Sequence, residues 1–211
     1  LILFVRGDPC SNPTIGDVHS FGAEIHFVPR SEYRSLKVKT HFAEWPGAVV
    51  IPEGGSNQLS LIGMEEMMSE IGMSNLQICV PFGSGGTSIG IMDALREGDH
   101  LQVFSSLKFS DFRLEFNRSC ERLHVKPSKN MQLHGDYHFG GYAKWTKELI
   151  TFMNDFPILL DPIYTAKMFY GISDLIKKGY FDDDQRILAI HTGGLQGIRG
   201  FNERFGPLIQ H

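Results

Sequence analysis

Short runs of consecutive apolar residues alternate along this chain with stretches in which apolar positions recur every three or four residues. These are the patterns of buried strands and of amphipathic helices. LILFVRGD (1–8) reads as a strand ended by Gly-Asp-Pro, and Asn12-Pro13-Thr14 opens a helix that runs to about Phe21 and closes at Gly22. AEIHFV (23–28) is a second strand, SEYRSLKVKTHFAEWPG a polar helix with a loop, and AVVIP (48–52) a third strand followed by the turn EGGSN. QLSLIGMEEMMSEI (58–71) has helical spacing, with Met64, Met67 and Met68 on its core side. LQICVPF (76–82) is a buried strand, TSIGIMDALREG a helix, HLQVFSS (100–106) a strand and FSDFRLEFNRSCERL (109–123) a helix. A loop through Pro127 and Asn130 ends in HGDYHFGGYAKW. Helices follow at 146–156 and 163–179, the second capped by Asp161, and QRILAIHTGGLQGIRGF supplies a last strand, a turn and a short helix.

This order predicts an α/β doubly wound fold, in which ligands sit beyond the carboxyl ends of the strands. Three glycine-rich turns fall there: EGGSN (53–57), GSGGT (83–87) and TGG (192–194). Their convergence on one edge is expected to make a site.

Charge and composition narrow the classes. With 211 residues and 42% hydrophobic residues the chain can bury a core, and a formal net charge of −4 without a basic run argues against nucleic acid. No apolar stretch is long enough to span a bilayer, and the mean hydropathy is −0.13. Cys10, Cys79 and Cys120 are far apart and outside any CxxC pair, which points to a reducing, cytoplasmic compartment rather than a disulfide framework. No metal site is expected, because Gly135 and Gly140-Gly141 break the helix that the HxxxH pair His134 and His138 would need. His191 reads as a satisfied histidine at a strand end.

Three glycines and two hydroxyls at the end of a strand suit an anion, held by inward-pointing amides and the positive end of the next helix. A P-loop would need a Lys after Gly85-Gly86, and a dinucleotide fingerprint would need a glycine where Ser88 stands. A single phosphate monoester remains the better reading than an ordinary turn.

GSGGT resembles the phosphate cup of pyridoxal-phosphate (PLP) enzymes of the tryptophan-synthase-β type, fold type II. With IPEGGSN, NPTIGDVHSFGAEIHFV, HFGGYAKW, LDPIYTAKMFYGI and ILAIHTGG, nearly the whole chain is similar to the D-cysteine desulfhydrase and 1-aminocyclopropane-1-carboxylate (ACC) deaminase family. The resemblance implies a three-layer α/β/α two-domain architecture, with residues 1–47 the remainder of a smaller domain and 48–211 the larger PLP-binding domain. It implies that Gly83, Ser84, Gly85, Gly86 and Thr87 hold the cofactor phosphate, and that Thr192 or Thr165 faces the pyridine nitrogen. Tyr164 would stand beside the substrate as a proton donor, with Tyr142 as a second active-site phenol; two facing tyrosines can lower the pKa of one. Glu53 and Asn57 border the site in either a catalytic or a structural part.

The family's Schiff-base lysine precedes the part of the pattern that starts here, and none of this chain's lysines stands in its context. Lys167, in YTAK, is expected to face solvent or a carboxylate. The chain opens inside what reads as a buried strand, without Met or a targeting pattern, and is expected to be N-terminally truncated, inactive as it stands and prone to aggregate through its open sheet. ACC deaminases resemble VYEGK where this chain has Tyr164-Thr165, and a neutral threonine makes a weaker electron sink than a carboxylate would. D-cysteine desulfhydrase-like elimination to pyruvate, sulfide and ammonia is therefore favoured over ACC ring opening. A non-catalytic PLP- or phosphate-binding relic is the reading from another class, and a nucleotide-binding oxidoreductase a weaker one. The implied partner is a small amino acid, and homodimers are common in the family.

Overall fold

The computed structural model describes residues 1–10 and 12–210. The N-terminal part carries β1 (Ile2–Arg6), α1 (Pro13–Ser20), β2 (Glu24–Val28) and α2 (Arg30–Leu36). Then follow a 3-10 turn at Glu53–Gly55, α3 (Gln58–Ser69), β3 (Leu76–Phe82), α4 (Gly86–Asp93), β4 (His100–Ser105) and α5 (Phe112–Arg122). β5 (Met131–His134), α6 (Lys147–Asp155), α7 (Thr165–Lys177), β6 (Arg186–Ala189) and α8 (Gly197–Phe205) complete the order. β1 and β2 pair in parallel as a sheet of their own, and the other strands form a parallel sheet in the order β5-β4-β3-β6. No described helix is long and apolar enough to cross a membrane.

The period of two along the central strands sorts their side chains onto two faces. Ile78, Val80 and Phe82 of β3 and Leu101 and Val103 of β4 pack with Met68, Ile89, Ile91 and Phe116 from α3, α4 and α5. Cys79 and Phe104 face the other way, against Met168, Ile172 and Leu175 of α7. Both faces are covered, as an all-parallel sheet requires, and the layers are α/β/α. The methionines of α3 belong to this core. Gly171 lets α7 lie close to the sheet, since a Cβ there would stand 2.8 Å from the Phe104 ring. Because all strands of the larger sheet run the same way, the segments after β3, β4, β5 and β6 leave from a single edge.

Two elements depart from expectation. AVVIP (48–52) is not a strand: Val49 and Ile51 are 80% and 72% exposed, and among the described residues no strand pairs with the run. Apolar residues alone do not make a strand without a ladder partner. MQLH, in the stretch expected to be loop, is the edge strand β5, with Met131 opposite Leu101 and Leu133 opposite Val103.

Candidate functional site

β3 delivers the chain into Gly83, and α4 begins three residues later. Between them Gly85 takes φ +97°, a left-handed turn closed to most side chains. α4 has no side-chain cap, so its first-turn amides lack partners within the helix. One of them, Gly86 N–H, donates to Ser56 Oγ at 3.1 Å, and the Ser56 hydroxyl donates to Ser84 Oγ at 2.7 Å. A Cβ on Gly86 would fall 2.7 Å from Ser56 Oγ, so the EGGSN turn closes directly onto the GSGGT loop.

On the outer side Arg122 Nη2 donates to the Ser84 carbonyl at 2.8 Å. That carbonyl and the Gly85 N–H belong to one trans peptide and point in opposite directions. The arginine thus turns the Gly85 amide away from itself. Amides, hydroxyls, a helix N-terminus and space that a side chain would fill together fit a phosphate monoester. Gly86→Val should push the two turns apart and weaken binding of a phosphate monoester at least about tenfold, or about 1.4 kcal/mol, as read by fluorescence titration with a phosphorylated ligand. An unchanged dissociation constant would remove the loop from the anion site.

The second component rests on Asp161, which is buried at the start of α7. One carboxylate oxygen accepts Ile163 N–H and Tyr164 N–H, each at 2.9 Å. The other accepts Thr165 N–H and the Thr165 hydroxyl, each at 2.7 Å. Thr165 Oγ1 in turn accepts Asp161 N–H at 2.9 Å. The α7 N-cap position, Tyr164, has no side-chain cap; Asp161 instead ties down the turn leading into the helix and holds Thr165 fully buried, with its one hydroxyl proton committed to the carboxylate. Thr192, the alternative hydroxyl, is exposed after β6. Its neighbour Gly194 is packed on Asp161, for a Cβ there would stand 3.1 Å from the aspartate side chain. His191 is satisfied as expected, with Nε2 2.9 Å from the Leu159 carbonyl and Nδ1 accepting Gly193 N–H.

Tyr164, fixed by this carboxylate, lays its ring over the phosphate loop: a Cβ on Gly83 would meet Tyr164 Cε1 at 2.8 Å. Burial first, then the proximity of Tyr142, Asp161 and Glu53, pushes the Tyr164 phenol up to about 12. The tyrosine pair therefore does not lower this phenol, as the facing arrangement allowed: burial raises it, and the neighbouring Tyr142 adds to the rise. Tyr164 keeps its proton throughout the neutral range. Tyr142 is 62% exposed. Glu53 pairs with Lys37 at 2.8 Å, and Asn57 caps α3 with a capping box, which gives both a structural part.

Lys167 is the largest departure from the sequence reading. It is neither solvent-facing nor held by a carboxylate: its side chain is fully buried, and Nζ donates to the Ser106 carbonyl at 3.0 Å and the Gly141 carbonyl at 2.7 Å. Burial lowers its pKa from the usual lysine range to about 8, against a smaller raising effect of Asp161. Below pH 8 the amine is protonated in both the folded and unfolded chain. Between about 8 and 10 the folded chain has released a proton that the unfolded chain still holds, so this residue's contribution to stability rises with pH. The unfolding free energy of the wild type minus that of Lys167→Met should accordingly grow over this window, with a slope approaching about 1.4 kcal/mol per pH unit. Urea unfolding at closely spaced pH values reads the difference, and a flat difference would place the amine in a solvated environment.

Ser56 and Arg122 were missed from sequence. Ser56 had one legible signal, its place directly after a Gly-Gly turn; Arg122 had none, lying 38 residues from the carbonyl it holds. The two histidines of the HxxxH pair have separate partners, His134 the Gln102 side chain at 2.7 Å and His138 the Gly140 amide at 2.8 Å.

An α/β fold of this kind, with a glycine-rich loop and a helix N-terminus at the end of a central parallel strand, suits the binding of a phosphorylated ligand. The profile of the family described as pyridoxal-phosphate dependent enzyme matches residues 5–193, and the chain belongs to that family. It is 32% identical over 176 residues to a Pyrococcus horikoshii protein provisionally named 1-aminocyclopropane-1-carboxylate deaminase, covering 76% of this chain and 53% of that protein. It is 32% identical over 208 residues to the bifunctional D-cysteine desulfhydrase/1-aminocyclopropane-1-carboxylate deaminase, mitochondrial, of Arabidopsis thaliana, covering 84% of this chain and 51% of the relative. A crystal structure described as an ACC deaminase homologue superposes with a TM-score of 0.78 at 26% identity, over 99% of this chain and 70% of the other. The chain thus spans about half the length of these two sequence relatives.

Proposed function

We propose that this chain is the larger part of a PLP-dependent lyase acting on a small amino acid, with D-cysteine, converted to pyruvate, sulfide and ammonia, as the favoured substrate. The observation that carries this is the meeting of the phosphate cup with a protonated Tyr164 whose ring lies on Gly83. The amides of Gly83, Ser84, Gly85, Gly86 and Thr87 would hold the phosphate, and the dipole of α4 would favour its charge. When bound, PLP supplies an electron sink for the substrate's α-carbon. Tyr164 then holds a proton available to a departing thiolate, while Asp161 fixes the backbone that aims the ring. Thr165 carries no carboxylate and its proton is committed to Asp161, so Thr192 would be the hydroxyl able to face the pyridine nitrogen of bound PLP. A ring nitrogen without an acidic partner suits elimination of a good leaving group better than opening of a ring that has no α-proton.

In this reading residues 1–47, with the β1–β2 sheet, belong to a smaller domain, and 48–211 form the larger one. The enzyme works in the cytoplasm, as a homodimer. The test is a paired assay of the full-length protein with PLP: sulfide from D-cysteine and 2-oxobutyrate from ACC. Sulfide without 2-oxobutyrate supports the proposal. The reverse selects ACC deamination, the second reading, which the names of the relatives favour. PLP binding with neither product would leave a non-catalytic relic.

A further inference from the structure

The loop that carries Tyr142 is under backbone strain. Phe139 and Ala143 hold φ +53° and +51°, and Gly140 and Gly141 between them hold +95° and +112°. Left-handed conformations at side-chain-bearing residues persist only where the surroundings enforce them, and they gather at functional sites. The enforcing contact is visible. Gly141 lies against Lys108, whose backbone N would be 3.5 Å from a Cβ at that glycine, and its carbonyl receives the buried Lys167 amine at 2.7 Å. The same amine holds the Ser106 carbonyl, the first residue beyond β4. One side chain therefore ties the strained loop to the edge of the central sheet. It does so from α7, three residues after Tyr164.

We infer that Lys167 is a positioning residue: its amine clamps the 138–144 loop to the sheet edge and so holds Tyr142 at the same site as Tyr164. The two phenols arrive from segments more than twenty residues apart. Tyr164 is set by the Asp161 carboxylate at the start of α7, and Tyr142 follows directly on the carbonyl that Lys167 grips. A carboxylate partner would neutralise the amine without binding the loop. Two backbone carbonyls from different segments do the reverse, fixing geometry at the expense of an uncompensated charge. The catalytic consequence rests on the lyase reading above; the clamp itself does not.

Hydrogen exchange on the full-length protein separates the two. Lys167→Met keeps the packing volume and removes both donated bonds; Lys167→Gln keeps N–H donors without the charge. In the methionine variant, amides of residues 139–144 should exchange at least tenfold faster while those of β3 keep wild-type protection, and the glutamine variant should recover part of that loss. If the methionine protein does not stay folded, the glutamine protein alone must still show the local acceleration. Wild-type protection of the loop in both variants, or equal acceleration throughout the chain, overturns the clamp. In the paired assay, Lys167→Met should lower kcat with PLP affinity unchanged, and Lys167→Gln should restore part of it. A loosened loop with undiminished kcat would overturn the positioning of Tyr142 while leaving the clamp. A protein inert toward both amino acids still decides the clamp, since exchange requires no substrate.

Discussion

Asp161→Ala is expected to destabilise the protein by at least about 3 kcal/mol, the largest stability loss of any single change near the site. Its carboxylate accepts three backbone amides and a hydroxyl, in a position withdrawn from water. Removing it leaves those donors without acceptors and unties the turn that leads into α7, the helix that covers one face of the sheet. Hydrogen bonds to a charged acceptor contribute about 1.5–3 kcal/mol each, though the terms are not additive. Asp161→Asn should fall between, because one amide NH2 would then face Thr165, whose N–H and hydroxyl both donate. Urea unfolding measures the series. An alanine variant within 1 kcal/mol of wild type would show that water reaches the amides and that the carboxylate is not what orders this corner.

The second large effect is on rate. Under the lyase reading proposed above, Tyr164→Phe should reduce kcat for sulfide release by about 10²- to 10⁴-fold, the range associated with a positioned proton donor. The ring stays over Gly83, so PLP affinity and stability should change little. The pH profile gives an independent check. With its phenol up near 12, the wild-type tyrosine remains an acid across the neutral and mildly alkaline range, so no fall in rate on this limb should trace to it. A phenylalanine enzyme that keeps more than a tenth of the wild-type kcat would transfer proton delivery to another group. The deficit should be in kcat rather than KM, since the hydroxyl acts on a developing charge and not on the resting substrate.

What the sequence made legible was the local chemistry. A strand running into GSGGT, an aspartate before Pro162 at a helix start, and the TGG turn after the last strand each have a physical reason within a few residues and stand where they were expected, whereas EGGSN follows no strand. What it hid depended on segments distant in the chain. AVVIP is as apolar as a strand but has no ladder to join, and β5 is a strand only because β4 lies beside it. Lys167 sits in a helix, where a lysine usually reaches water. It is buried because the carbonyls of Ser106 and Gly141, 61 and 26 residues away, need its hydrogens. Ser56 and Arg122 likewise act on a loop far along the chain from themselves. The glycine-rich loop after β3 was local and therefore readable; the groups that shape it were not.

The strand order has a consequence for how the protein is made. β3, which ends in the phosphate cup, has β4 on one side and β6 on the other, with Leu76 opposite Arg186. β4 emerges from the ribosome soon after β3, but β6 comes about a hundred residues later, on the order of 5–20 s at common rates of synthesis. For that interval one edge of the central strand is open, and residues 161–185 are made within it. Nascent chains stalled before β6 present a bare apolar edge to chaperones or to one another.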